Sequence, residues 1–321
     1  MRPRFLQHAF LFAAITLLLG ACHGWDDASQ PGGSTPEAAL QRSIDLFKAG
    51  DFQDMWKQSL PPADYANMRA DWSRQQGQSP AISTEDRAKF TEAMQQLTGK
   101  DAEKTLFAAW QPRLISVERQ YRDQLPMLLS VGGAMVKAQV TQNQNLSSAQ
   151  KTQINSVLDA LAPWVQQTPW FDQARAKQAV TVVVATARKL DLKNPEQLHT
   201  MDFDSTMGKY AIGYAGLKQL LAIYGLSVDA TLDSIKLTPV SSSNGHAVVK
   251  IDYTLLGKPL TTESNLVEQD GRWFSEDMLK QARASHQRRI QSIASPPAGS
   301  ATMPAEAATP TAASSSAAGK A

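Results

Sequence analysis

Ala247-Val248-Val249-Lys250-Ile251-Asp252-Tyr253-Thr254-Leu255 is the stretch whose reading decides the fold. Ala247, Val249, Ile251, Tyr253 and Leu255 fall on one side of an extended chain, and Val248, Lys250, Asp252 and Thr254 on the other. Alternation at a period of two marks a strand with one buried face. Turn chemistry brackets it, with Asn244-Gly245 before and Gly257-Lys258-Pro259 after. Residues 232–240 and 260–269 are its expected neighbours, and Asp270-Gly271 turns the chain into Arg272-Trp273-Phe274. The whole reads as an antiparallel meander.

Upstream of Leu226 the period is close to 3.6. Ser34-Thr35-Pro36-Glu37 combines a capping hydroxyl, a proline at the first helical position and an early carboxylate, and Leu40, Ile44 and Phe47 follow on one face. Gly50 ends that helix; Phe52, Met55 and Trp56 open a second, which Pro61-Pro62 stops. Phe90, Ala93, Met94 and Leu97 form a helical stripe before Gly99, and Ile154, Val157, Leu158 and Leu161 form another. The β-branched run 180–184 has strand character by itself, but its flanks favour helix. A helix is predicted over 205–224, where Ala211, Gly213, Ala215 and Gly216 allow neighbours to approach closely. Past the meander, Ser275-Glu276-Asp277 starts a terminal helix to about residue 293 that carries Lys280, Arg283, Arg288 and Arg289. The cations suit either an anion clamp or a solvated helix, the latter being the simpler reading. The fold class is therefore α+β: a predominantly helical region, 35–225, followed by a small C-terminal antiparallel meander and a terminal helix, 226–294, packed together as one globular unit.

The N-terminus has the three parts of an export signal over 1–21, with Arg2 and Arg4, an apolar run from Ala9 to Leu19, and small residues at Gly20 and Ala21. The run is too short to cross a bilayer, which takes about 20 residues. Leu19-Gly20-Ala21-Cys22 resembles the lipobox of bacterial lipoproteins. The resemblance implies cleavage before Cys22, diacylglycerol on its thiol and acylation of the new amine. Cys22 is the only cysteine in the chain, so no internal disulfide can form. His23 after it, rather than Asp, resembles the outer-membrane-directed class, facing the periplasm. Residues 22–34 read as a flexible tether, with Trp25 able to dip into the lipid interface. The Ala/Pro/Ser-rich segment 295–321 should be disordered. The formal net charge of +2 falls to zero once Arg2 and Arg4 leave with the signal, which gives no support for nucleic-acid binding.

Motifs for chemistry do not complete themselves. Ser148-Ala149-Gln150-Lys151 has the S-x-x-K spacing of penicillin-interacting enzymes without its S-D-N and K-T-G companions, and Ser147 with Gln150 reads better as a capping box. Asp202-Phe203-Asp204 begins like a calcium loop but has Met207 where glycine is required, so a helix N-terminus explains it better. His23, His199, His246 and His286 show no metal-ligand spacing. No cofactor or metal is expected.

Val267-Glu268-Gln269-Asp270-Gly271-Arg272-Trp273-Phe274 resembles the last strands of NTF2-like and cystatin-like domains. That resemblance, about fifty residues long, implies a curved sheet with a cone-shaped pocket that Tyr253, Leu266 and Trp273 would line. The long helical region in front of the sheet departs from it. Pro163-Trp164 and Pro169-Trp170 could stack on sugar rings of the cell wall, although indoles at helix ends more often anchor packing, as expected too of Trp56, Trp72 and Trp110. Two functions follow: a lipid-anchored, non-catalytic binding or scaffolding domain for an envelope protein or cell-wall partner, or a cell-envelope hydrolase whose carboxylates converge only in the fold.

Overall fold

A computed structural model describes residues 30–76, 81–144 and 146–294. Within them the chain is mostly helical, with a C-terminal four-strand antiparallel sheet and a final helix. The helices are α1 (Pro36–Ala49), α2 (Phe52–Ser59), α3 (Pro62–Gln76), α4 (Thr84–Thr98), α5 (Ala102–Tyr121) and α6 (Leu125–Gln142). Then come α7 (Ser148–Gln167), α8 (Gln173–Leu190), α9 (Gln197–Thr200), α10 (Phe203–Ile223) and α11 (Val228–Asp233). The sheet is β1 (Lys236–Ser243), β2 (His246–Leu255), β3 (Lys258–Gln269) and β4 (Arg272–Ser275), in sequential order, and α12 is Glu276–Ala294.

Local signals set most boundaries. Thr35 Oγ1 accepts from the Ala38 N–H at 3.1 Å, Gly50 adopts φ +74° at the end of α1, and Ser147 with Gln150 forms a reciprocal capping box. The hairpins turn on Asn244-Gly245, Leu256-Gly257 and Asp270-Gly271, all with positive φ, matching the twist of two-residue turns. The second turn lies one residue earlier than expected, and Lys258 and Pro259 already pair with Leu255 and Thr254. β1 starts later than expected, because Leu232 belongs to α11.

β2 alternates as its sequence requires: Ala247, Val249, Ile251, Tyr253 and Leu255 are all buried. Helices α1 and α7 pack on the sheet, α11 covers β2, and α12 lies along β3 and β4. The core gathers Leu40, Ile44 and Phe47 of α1, Phe52 and Met55 of α2, Ala160 of α7, Phe203 and Met207 of α10, and the inner face of the sheet. None of the residues of α4, α5 or α6 enters it. The run 180–184 is helical; Val184 is fully buried where α8 packs on α4, α5 and α10. Of the small residues in α10, Gly216 makes the close approach, since a Cβ there would sit 2.3 Å from Thr186 Oγ1.

The tether expected over 22–34 needs correction at its end. Gly33 pairs with Trp273 through bonds of 3.0 and 2.9 Å, the Gly32 N–H donates to the Gln58 carbonyl at 2.8 Å, and Arg272 donates to the carbonyls of Pro31 and Gly32. The physical reason is that β4 has one partner strand, so its outer N–H and C=O groups require another. Two glycines fit there because a Cβ on Gly33 would meet the Ala39 nitrogen at 2.1 Å.

Candidate functional site

Tyr253, Leu266 and Trp273 stand on the inner face of the sheet, but they belong to its closed core. The Gln153 amide of α7 donates to the Tyr253 hydroxyl at 2.6 Å, and burial pushes that phenol up while the hydrogen bond acts against it. The cavity beside Trp273 measures about 10 Å³, room for roughly one water. Helices α1 and α7 pack against the sheet, so Tyr253, Leu266 and Trp273 sit in packed core and not in an open cone.

Trp164 and Trp170 meet edge to face at 5.3 Å, and Trp170 lies 5.1 Å from Tyr224. Trp164 Nε1 donates to the Tyr224 carbonyl and Trp170 Nε1 to the Val165 carbonyl, each at 2.7 Å. These half-buried indoles lock the α7–α8 connection onto the end of α10, which is an anchoring role. Trp110 differs: expected to pack, it is 54% exposed on the outer side of α5.

The ionisable side chains pair across elements. Arg69 of α3 holds Asp204 of α10 through two bonds of 2.9 and 2.8 Å, which raises the guanidinium, with Tyr65 adding to the effect. Arg283 of α12 grips Asp64 of α3, and His286 Nδ1 lies 2.7 Å from Asp71 Oδ2, with Arg74 on the other oxygen. Arg283 and Arg289, expected to project from the terminal helix, thus turn toward α3. Arg188 and Glu103 join α8 to α5, and the carboxylate is held below its ordinary range by that bond. Asp202 caps α10 by accepting from the Ser205 N–H at 2.7 Å. Lys151 donates to the Thr141 carbonyl at 2.8 Å. Among the described residues no group of three or more His, Cys, Asp or Glu side chains is placed to hold a metal ion.

What the core leaves over is the surface of α6. This helix rests on α7 through half-buried Leu125, Leu129, Lys137 and Val140. Met127 is 69% and Met135 61% exposed, Leu128 and Val131 stand out beside them, and Val136 is exposed at another angle of the helix. Its one charged residue, Lys137, is ion-paired with Asp159 of α7. Nothing beforehand singled this helix out, although Leu125-Pro126-Met127-Leu128-Leu129 and the single charge in 18 residues were legible. A second, shallow groove of about 560 Å³ opens between α8 and α10, lined by Gln178, Thr181, Val182, Gln219, Ala222 and Ile223.

Cys22 lies outside the described residues, as do Trp25 and the tail 295–321. Among the described residues no helix is long and apolar enough to cross a membrane. No family model matches the chain, and neither a curated protein nor a solved structure matches it.

Proposed function

We propose that this chain is a bacterial envelope lipoprotein, anchored through lipid on Cys22, whose folded part is a non-catalytic binding or scaffolding domain. One observation carries the binding half of the reading: α6 leaves exposed, uncharged apolar side chains that no other element covers, a face open to a partner or to a membrane surface. The largest apolar patch on a monomer, about 300–600 Å², is often functional. Asp64, Asp204 and Glu103 are each held by an arginine of another helix and Asp71 lies against His286, so these four carboxylates serve contacts between helices. The anchoring half rests on Leu19-Gly20-Ala21-Cys22 and on the outer membrane sorting that His23 implies.

Metabolic labelling with a palmitate analogue tests the anchor. Label is expected in the native chain and lost with Cys22→Ala; label that persists in the variant, or is missing from the native chain, overturns the assignment. Incubating the purified chain with cell-wall sacculi tests the other half, the expected result being no release of soluble fragments. Release that survives replacement of Asp71 and His286 but not heat would establish a hydrolase centred elsewhere in the fold.

A further inference from the structure

Helix α6 spans about 27 Å at 1.5 Å per residue. With successive residues about 100° apart around the axis, Leu125, Leu129, Val140 and Lys137 fall in the sector that meets α7. Ala134, Met127, Ala138, Val131, Met135 and Leu128 occupy another sector of about 120°. All six are exposed, and no charge interrupts them. Lys137 is drawn toward α7 by its exposed ion pair with Asp159, and Gln142 is the polar member of the outer sector.

A protein partner is a poor match for a face of this size. The outer side of one helix, about 27 Å long and about 10 Å wide, offers some 300 Å², against about 800 Å² per partner in a standard interface. A lipid surface demands no shape complementarity, and an uncharged apolar helix face is what it takes up. Trp110 and the exposed Arg113, about 60° apart around the axis of α5, the helix leading into α6, suit the headgroup level, where indoles and basic side chains settle. The covalent geometry adds a constraint. Cys22 and Gln30 are eight residues apart, so a lipidated Cys22 holds the folded part within about 28 Å of a bilayer, at 3.3 to 3.6 Å per residue.

We infer that the outer face of α6 lies in the interface of a phospholipid bilayer, a second and reversible contact beside the covalent anchor. The inference rests on the anchoring proposed for Cys22, which brings the bilayer within reach. Two contacts fix the orientation of the domain at the membrane, which a single flexible leash leaves free.

The test uses the full lipidated chain reconstituted in vesicles of phosphatidylethanolamine and phosphatidylglycerol, with single cysteines introduced as Val131→Cys, Met135→Cys or Ser242→Cys and labelled with an environment-sensitive fluorophore. A lipid-blocked Cys22 leaves the new thiol as the reactive one. Blue-shifted emission, quenched by brominated lipid, is expected at 131 and 135 and not at 242, an exposed position in β1. The same variants carrying Cys22→Ser, added to vesicles at saturating lipid, should behave likewise, and Met135→Glu should lower their bound fraction at least tenfold with the far-ultraviolet circular dichroism unchanged. Aqueous emission at 131 and 135 in both formats overturns the inference. So does a blue shift that grows with protein concentration in the absence of vesicles, which would assign the face to a second copy. If the Cys22→Ser chains insert while native Cys22 carries no lipid, the anchor fails and the α6 contact stands. If Cys22 is lipidated but the probes stay in water, the reverse holds.

Discussion

At Tyr253 the alternation of β2 is sufficient to place the side chain inward, but it says nothing of what meets the hydroxyl. The hydroxyl is met by Gln153, a hundred positions earlier, at 2.6 Å and in a buried setting. Removing one member of such a pair costs about 1–3 kcal/mol, because the other keeps its desolvation penalty, whereas replacing both with apolar groups is nearly neutral. Tyr253→Phe should therefore lower the unfolding free energy by about 1–3 kcal/mol, and adding Gln153→Leu should recover a good part of it. Urea titrations of the two variants and the double variant check this; strictly additive losses would mean that the pair is not coupled. Trp273 makes the same point in reverse. Its burial was legible, but its backbone pairing with Gly33 was not, because a short polar run rich in glycine looks the same whether it is a leash or an added strand edge.

Among the elements, legibility followed chain locality. Caps at Thr35, Ser147 and Asp202 and turns at Asn244-Gly245 and Asp270-Gly271 are contacts within a few residues, and each was readable. The stripe Phe90, Met94 and Leu97 correctly marked a helix, yet these side chains are half-buried and α4 has no fully buried residue. Periodicity reports the face a helix would bury, and the neighbours decide how much of it is covered. Gly216 shows what a neighbour can demand. Four small residues in α10 looked equivalent, but Thr186 of α8 presses on Gly216 while Gly213 faces open space. Gly216→Val should force α8 and α10 apart and cost about 1–3 kcal/mol by overpacking, whereas Gly213→Ala should be neutral or slightly stabilising through the lower helix propensity of glycine. Thermal melts of the two variants check the contrast, and equal effects would contradict the close approach.

Across the whole molecule, one core joins the sheet to α1, α2, α7, α10 and α11, while α4 and α5 attach through α8 and through surface ion pairs. Those pairs give α4 and α5 an acid sensitivity. Arg188 holds Glu103, and Arg87 holds Glu196, below the ordinary carboxylate value of 4.5. A depressed carboxylate contributes stability that is fully present above its unfolded value and is lost as pH falls through the folded one. The protection of α4 and α5 amides, relative to their intrinsic exchange rates, should therefore be unchanged by these groups between pH 5 and 8 and should fall below about pH 4.5, while β2 stays protected. Loss of protection beginning above pH 5 would point to other groups. The sequence by itself determined the α+β class, a helical region ahead of the meander, the caps at Thr35, Ser147 and Asp202, two of the three hairpin turns and the inward face of β2, because each depends on residues that are neighbours along the chain. Only the tertiary structure decided that α7 and α1 fill the space under the sheet, that Gly32-Gly33 closes the edge of β4, and that α6 is left with a bare apolar face. Those outcomes are sums of contacts between distant segments, and an apolar stripe reads identically in a sequence whether or not the fold supplies something to cover it.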